Sequence, residues 1–315
     1  MSVESSSGHT VIIGAGQAGV TTAEALRSGG YAGTITLLGD EPYGPYHRPP
    51  LSKAWLAGEI TEGQLVMRAP EMLARKDISL RTSASVVAVD RDTRQVRLAD
   101  GETLPYTGLV FATGCSTLPI PGADASNVLP LRTRTDASRI ADLMAACGES
   151  GAPVVVIGGG FIGLEVAATA RKKGLRVTVL EAAPRLLGRV LAPVLSEWYA
   201  ALHRRHGVDL VLDARIAAIE TAAHQAVGVR LADGRHLPCG LVVLGVGVTA
   251  NDQLAVAAGL ACDRGIIVDA CARTTDPLIV AAGDCTARRL VDGTLLRLES
   301  VQNATEQAKS AAAWL

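Results

Sequence analysis

The sequence predicts an α/β fold of two similar parallel-sheet domains, the second inserted in the first. Three observations carry that prediction. The chain is 315 residues long, which suits two domains with separate cores. Its side chains are 48% hydrophobic but only 3% aromatic, so Val, Leu, Ile and Ala must fill those cores, as in parallel strands covered by helices. A glycine-rich loop between an apolar strand and a helix occurs twice, at Gly14–Gly19 and at Gly158–Gly163.

Taken in order, 10–14 reads as a strand and 17–28 as a helix with Val20, Ala23 and Leu26 on one face, stopped by Gly29 and Gly30. Thr34–Leu38 is the next strand, and Asp40 follows it. The Pro-rich stretch 41–50 excludes regular helix or central strand, and a short helix starts at Ser52 and Lys53. Strands are expected at 85–89, 95–98 and 106–112. A second cycle begins with a helix near 136–146, a strand at 154–157, a helix at 160–173 and a strand at 176–180 ending on Glu181. Leu191, Val194, Leu195, Trp198 and Leu202 recur at three-to-four spacing, which predicts an amphipathic helix over 190–206. Strands at 208–212, 215–220, 227–231 and 241–244 complete the second domain. Short strands at 265–269 and 278–284 and a helix over 299–314 return to the first.

Each loop has the chemistry of a dinucleotide site, so the two domains are Rossmann-like. A pyrophosphate must be approached closely by backbone. Gly14 permits the turn, Gly16 the approach and Gly19 the packing of helix on strand, and Gly158, Gly160 and Gly163 repeat the set. Asp40 and Glu181 lie about 20 residues further on, where a carboxylate can take ribose hydroxyls. A carboxylate at 181 repels a 2′-phosphate, which favours NADH over NADPH; Arg185 and Arg189 pull the other way. Two dinucleotides on one chain imply electron transfer between them.

Net charge is −1, so no overall field draws the chain to nucleic acid or a membrane. No apolar run reaches membrane-spanning length. The six cysteines, Cys115, Cys147, Cys239, Cys262, Cys271 and Cys285, show neither a C-x-x-C nor zinc-like spacing, and no metal is assigned. Reduced thiols in a cytosol are expected. Met1–His9 reads as a disordered lead-in without the apolar region of a signal peptide. His47 and the group His203, Arg204, Arg205 and His206 read as solvated.

The run Gly39–Lys53, with its Arg48-Pro49-Pro50-Leu51-Ser52-Lys53 core, resembles the signature of the FAD-dependent, NADH-using ferredoxin reductases of bacterial oxygenase systems. Gly158–Ala170, Thr274–Cys285 and Glu299–Ala308 are similar to the same family, and the resemblance runs from about Val11 to the end. It implies the flavoprotein disulfide-reductase-like fold, with an FAD domain from 9–115 and 245–315 and an NADH domain from 116–244. It implies FAD contacts at Gly14, Ala15, Gly16, Ala18, Gly19, Asp40, Arg48, Lys53, Val87, Ala112, Thr113, Gly114, Arg132, Gly283, Asp284, Glu299 and Val301. It implies NADH contacts at Gly158, Gly160, Ile162, Gly163, Glu181, Arg189 and Gly245. Lys53 and Glu165 are the implied catalytic pair beside the flavin. Read alone, Lys53 also suits a solvated helix start, and Asp284 a turn acid.

The resemblance implies a [2Fe–2S] ferredoxin as acceptor, feeding a cytochrome P450 or a ring-hydroxylating oxygenase, in the cytoplasm. No cysteine precedes Cys115, so there is no redox pair of the disulfide-reductase kind, and electrons must leave the protein. The family continues for roughly 80–100 residues beyond the point matched by Leu315, the size of a small domain, so its C-terminal interface domain is expected to be absent. Arg68, Arg75, Lys76, Arg288, Arg289 and Arg297 are candidates for an acidic partner's docking surface. The alternatives are a rubredoxin reductase or other NADH-linked flavin subunit, and a truncated, non-catalytic FAD-binding module.

Overall fold

A computed structural model describes residues 8–315. The lead-in predicted for Met1–His9 falls outside the described residues up to Ser7. The longer helices are α1 (Gln17–Ser28), α2 (Arg134–Ser150), α3 (Phe161–Lys172), α4 (Pro193–Arg205) and α5 (Val301–Trp314). The chain divides into two compact units. One holds residues through His47, Val66–Ser116 and Thr249–Leu315; the other holds Arg48–Leu65 and Thr117–Val248. Residues Arg48–Leu65, which the sequence reading places in the FAD segment 9–115, thus pack with the second unit. Bonds from Ser52 and Lys53 to α3 hold them there: Thr169 Oγ1 donates to the Ser52 carbonyl at 3.0 Å.

The first unit is built on a five-stranded parallel sheet in the spatial order Ile279–Ala281, Gly108–Phe111, His9–Ile13, Thr34–Leu38, Ile78–Arg81. Val11, Ile12, Leu109, Val110, Phe111, Val280 and Ala281 are fully buried, because helices and a small antiparallel sheet cover both faces. Helix α1 buries Val20, Ala23 and Leu26, the face its sequence predicts. It packs along α5, whose buried positions are Ala304, Ala308 and Ala311. Alanines there let the two helices approach closely, and the N-cap Ser300 accepts from Asn303 N at 3.1 Å.

The second unit repeats the pattern. Its sheet runs Val208–Val211, Val177–Leu180, Val154–Ile157, Leu241–Leu244, Val128–Pro130, all parallel. Each side chain of Val154–Ile157 is at most 4% exposed, which contributes about 1.5–3 kcal/mol per residue. Helix α2 begins earlier and ends later than its periodicity predicts. Thr133 and Asp136 form a reciprocal capping box at its start, and Gly151 closes it in the left-handed region at φ 68°.

Two sequence expectations fail on helix α4. Its apolar stripe faces water: Val194 is 69% and Trp198 56% exposed, and Leu195 is also exposed. The buried positions are Ser196, Ala200 and His203. Small side chains let the helix sit close against strand Val208–Val211, and three-to-four spacing describes both faces of the helix equally well. His203, read from the sequence as solvated, is therefore inside; burial pushes its pKa below the ordinary value, helped by nearby His206.

Candidate functional site

In the first unit, Gly14 has φ +112°, and a Cβ there would lie 2.2 Å from the Ala112 carbonyl oxygen. A Cβ on Gly19 would meet the Gly14 carbonyl oxygen at 1.8 Å. These glycines are fixed by backbone crossing backbone. Gly16 differs: a Cβ there would meet nothing within 4 Å, so it opens on empty space at the start of α1. The N-cap of α1 is Gly16 itself, with no side-chain cap and no acid in the first turn. The first amides of the helix are left for an external anion, so the residues present fit a dinucleotide pyrophosphate.

The second unit reproduces this cradle. Gly158 has φ +112° with a Cβ position 2.3 Å from the Gly245 carbonyl oxygen; that of Gly163 lies 2.1 Å from the Gly158 carbonyl oxygen; that of Gly160 meets nothing within 4 Å. Gly160 caps α3 without a side chain, again with no acid in the first turn. Ile162 and Phe161, both exposed, flank that opening. Gly158, Gly160, Ile162, Gly163 and Gly245 thus lie together around the start of α3.

The two acids are not equivalent. Gly14 N donates to Leu38 O, and Gly158 N to Leu180 O; Gly39 N donates to Arg81 O, and Glu181 N to Val211 O. The position matching Glu181 is thus Gly39, and the exposed Asp40 sits one residue further along than the sequence parallel suggests. Glu181 is fixed: Oε2 accepts from Gly159 N at 2.6 Å and Oε1 from Ala183 N at 2.8 Å. Arg185 is committed elsewhere. Its Nη1 donates to Leu191 O at 2.6 Å and Nη2 to Gly188 O at 2.7 Å, shaping the loop before α4. Arg189 is exposed, and a Cβ on Gly247 would lie 3.6 Å from its Nη2.

Around the first loop, Ala112, Thr113 and Gly114 follow strand Gly108–Phe111, and Gly283 and Asp284 follow strand Ile279–Ala281. A Cβ on Gly283 would stand 3.1 Å from Ala18 Cβ, so this turn lies against the start of α1. Gly283 N donates to Gln307 Oε1 at 2.8 Å. Cys115, buried, donates its thiol to Asp284 Oδ2 at 3.2 Å. Val301 begins α5 and is half exposed; Val87, in strand Val86–Asp90, is similarly exposed.

Sequence reasoning missed Asn251. Thr113 Oγ1 donates to its carbonyl at 2.6 Å, its Nδ2 donates to Thr113 O at 2.9 Å, and its own N–H donates to Gly114 O at 3.0 Å. These bonds lock the 113–114 turn. All three run through backbone atoms, so no residue pattern announces them.

The segment Arg48–Leu65 carries the remaining candidates. Pro49–Ser52 forms one 3₁₀ turn and Ala54–Ala57 one helical turn. Lys53 Nζ lies 2.7 Å from Glu165 Oε2, and Ser52 Oγ donates to the same oxygen at 2.5 Å. Arg48 Nη1 donates to Arg132 O at 2.7 Å, which ties Arg48 to the residue before the α2 cap. Arg134 stacks over Trp55 at 5.4 Å and pairs with Glu62 at 2.6 Å. Lys172 pairs with Glu59.

Of the proposed docking cations, Arg75, Arg288 and Arg289 are exposed. Arg68 and Lys76 are both engaged by Glu24, at 2.9 and 2.7 Å. Arg297, only 21% exposed, reaches Glu299 at 3.2 Å and the Asp284 carbonyl at 3.5 Å, so it belongs to the Asp284 turn and not to a solvated face. No helix among the described residues is long and apolar enough to cross a membrane.

The sequence profile of the pyridine nucleotide-disulphide oxidoreductase family matches residues 8–308. The chain is 46% identical over 308 residues to the rhodocoxin reductase of Rhodococcus erythropolis, covering 97% of this chain and 71% of that protein. It is 44% identical over 316 residues to the putidaredoxin reductase of Pseudomonas putida, covering 98% and 74%. The crystal structure of the covalent putidaredoxin reductase–putidaredoxin complex superimposes with a TM-score of 0.93 at 43% identity, covering 98% of this chain and 75% of that one. Two bare-capped glycine loops, the second with Glu181 held against it, and this likeness along nearly the whole chain agree: the protein belongs to the pyridine nucleotide-disulphide oxidoreductase family, among the FAD- and NADH-dependent ferredoxin reductases.

Proposed function

We propose that this chain passes electrons from NADH through FAD to a [2Fe–2S] ferredoxin serving a cytochrome P450 or a ring-hydroxylating oxygenase, in the cytoplasm. The observation that carries the reading is the Lys53–Glu165 ion pair, at 2.7 Å, on a segment that holds no cysteine. FAD, when bound, would supply the conversion of a hydride's electron pair into single electrons. The protein binds and orients. The open amides at Gly16 and the start of α1 take the FAD pyrophosphate, and those at Gly160 and the start of α3 take that of NADH. Asp40 accepts from adenosine hydroxyls and Asp284 from the ribityl chain. Glu181 accepts from the NADH ribose and repels a 2′-phosphate, while Arg185, spent on its own loop, offers that phosphate little. Lys53, held by Glu165, would offer the flavin a fixed positive charge. Arg48, Arg132, Val87, Glu299 and Val301 complete the flavin contacts, and Ile162, Arg189 and Gly245 those of NADH.

The visible spectrum of the purified protein before and after anaerobic NADH tests this. A flavin band bleached by NADH, and reoxidised faster by a [2Fe–2S] ferredoxin than by rubredoxin, supports the reading. A flavin that NADH leaves oxidised makes the chain a binding module, and faster reoxidation by rubredoxin changes the acceptor.

A further inference from the structure

The two loops share a backbone but differ at one coupled pair of positions. Hydrogen bonds fix the equivalence. Ala84 N donates to Gly39 O as Ala214 N donates to Glu181 O, and the bonds of Gly14 and Gly158 to the ends of the neighbouring strands match as well. Ala15 therefore corresponds to Gly159, and Gly39 to Glu181. In the first loop the residue between the first two glycines carries a methyl and its partner carries no side chain. In the second loop the assignment is reversed.

Geometry explains why neither loop carries both side chains. A Cβ built on Gly39 would stand 3.0 Å from Ala15 Cβ. A Cβ built on Gly159 would stand 2.9 Å from Glu181 Oε2, 3.1 Å from Glu181 Cβ and 2.6 Å from Leu186 Cδ2. Gly159 is free of the positive φ that distinguishes Gly14 and Gly158, so its backbone accepts an L side chain; the obstacle is its neighbours. With no side chain in the way, Glu181 lies over the loop and both its oxygens accept backbone N–H groups, from Gly159 at 2.6 Å and Ala183 at 2.8 Å. Each carboxylate oxygen has two lone pairs, so each keeps one for a further donor. The carboxylate is thus aimed before any ligand arrives.

We propose that Gly159 is a specificity-determining residue for the nicotinamide nucleotide: its missing side chain seats Glu181, and the seated carboxylate discriminates against a 2′-phosphate. This rests on the NADH role given above to Glu181. Gly159 acts through Glu181 and is a positioning residue.

A double-mutant cycle on the FAD-loaded protein tests it, with Kd for NAD⁺ and NADP⁺ and the thermal midpoint of each variant. Gly159→Ala should weaken NAD⁺ binding about tenfold or more and shrink the NAD⁺/NADP⁺ preference. In the Glu181→Gly background, which copies the first loop's Gly39, the same Gly159→Ala change should cost less than about threefold and lower the midpoint less. Equal penalties in the two backgrounds, in affinity and midpoint alike, overturn the coupling, because the added methyl would then be felt by Leu186 alone. Glu181→Gly by itself separates the two ideas. If it leaves the NAD⁺/NADP⁺ ratio unchanged, the ribose role of Glu181 falls and the specificity claim with it, even where the midpoints still show the two residues in steric contact.

Discussion

Lys53 Nζ and Ser52 Oγ converge on a single oxygen, Glu165 Oε2, at 2.7 and 2.5 Å. Helix α3, which begins at the second glycine loop, thereby fixes the segment that carries Lys53. The pair is half exposed, with side-chain exposures of 50% and 28%, so its net contribution to stability is at most about 1 kcal/mol. Its value lies in orientation. Lys53→Met should leave the thermal midpoint nearly unchanged and slow flavin reduction by NADH by about 10²-fold, the size of losing one preorganised charge partner. Glu165→Gln should slow it less, since Ser52 can still donate to the amide oxygen. Stopped-flow bleaching of the flavin under anaerobic conditions reads both, and an unaltered rate in Lys53→Met would remove the lysine from the reaction.

Glycines that look alike in the sequence have different work. A methyl on Gly14 would meet backbone at 2.2 Å and occupy φ +112°, so Gly14→Ala should cost about 3 kcal/mol or more and lower the melting point of the apoprotein. A methyl on Gly16 would meet no protein atom within 4 Å. Gly16→Ala should therefore fold with apoprotein stability within about 0.5 kcal/mol of the parent, yet lose FAD, because the methyl fills the phosphate cradle. Melting of the two apoproteins and titration with FAD distinguish the cases; tight FAD binding by Gly16→Ala would move the pyrophosphate elsewhere.

This contrast also marks what the sequence could reveal. Both loops are legible because only glycine satisfies their crossings, so backbone constraint is written directly into residue type. The pairing of Ser52 and Lys53 with Glu165 is not written locally: Ser52 and Glu165 are 113 residues apart, and only resemblance to a family suggests the contact of Lys53 with the acid. Asn251 is silent because its bonds to the 113–114 turn run through backbone atoms. Helix α4 shows a different failure. Trp198 and Val194 give a strong apolar stripe, but the strand beneath the helix selects Ser196, Ala200 and His203 by closeness of approach.

Charge at position 181 should set nucleotide preference. Glu181→Arg replaces a carboxylate held by two backbone amides with a cation suited to a phosphate. The NADH/NADPH ratio of kcat/KM should fall by about 10²-fold or more, in line with the 2–5 kcal/mol attached to buried charge partners. Arg185 should not compensate in the parent, since its guanidinium already serves Leu191 and Gly188. A ratio unmoved by Glu181→Arg would leave selection to Arg189 or to residues around Gly247.

Buried histidine gives the chain an acid-sensitive stability. Burial is the main cause that lowers the pKa of His203, with His206 second, and burial likewise lowers that of His9, whose Nε2 lies 2.9 Å from Thr36 Oγ1. In the unfolded chain both groups titrate near 6.5. Between that value and the lower folded-state value the unfolded form binds more protons, so protonation favours unfolding. The stability due to each neutral ring is complete above pH 6.5 and is lost as pH falls through the folded-state pKa. His203→Gln keeps a polar side chain of similar length and removes the titration. Its thermal midpoint should fall less steeply than the parent's from about pH 6.5 downward, with His9 accounting for part of the slope that remains. Parallel curves for parent and variant would show that His203 does not gain its proton on unfolding.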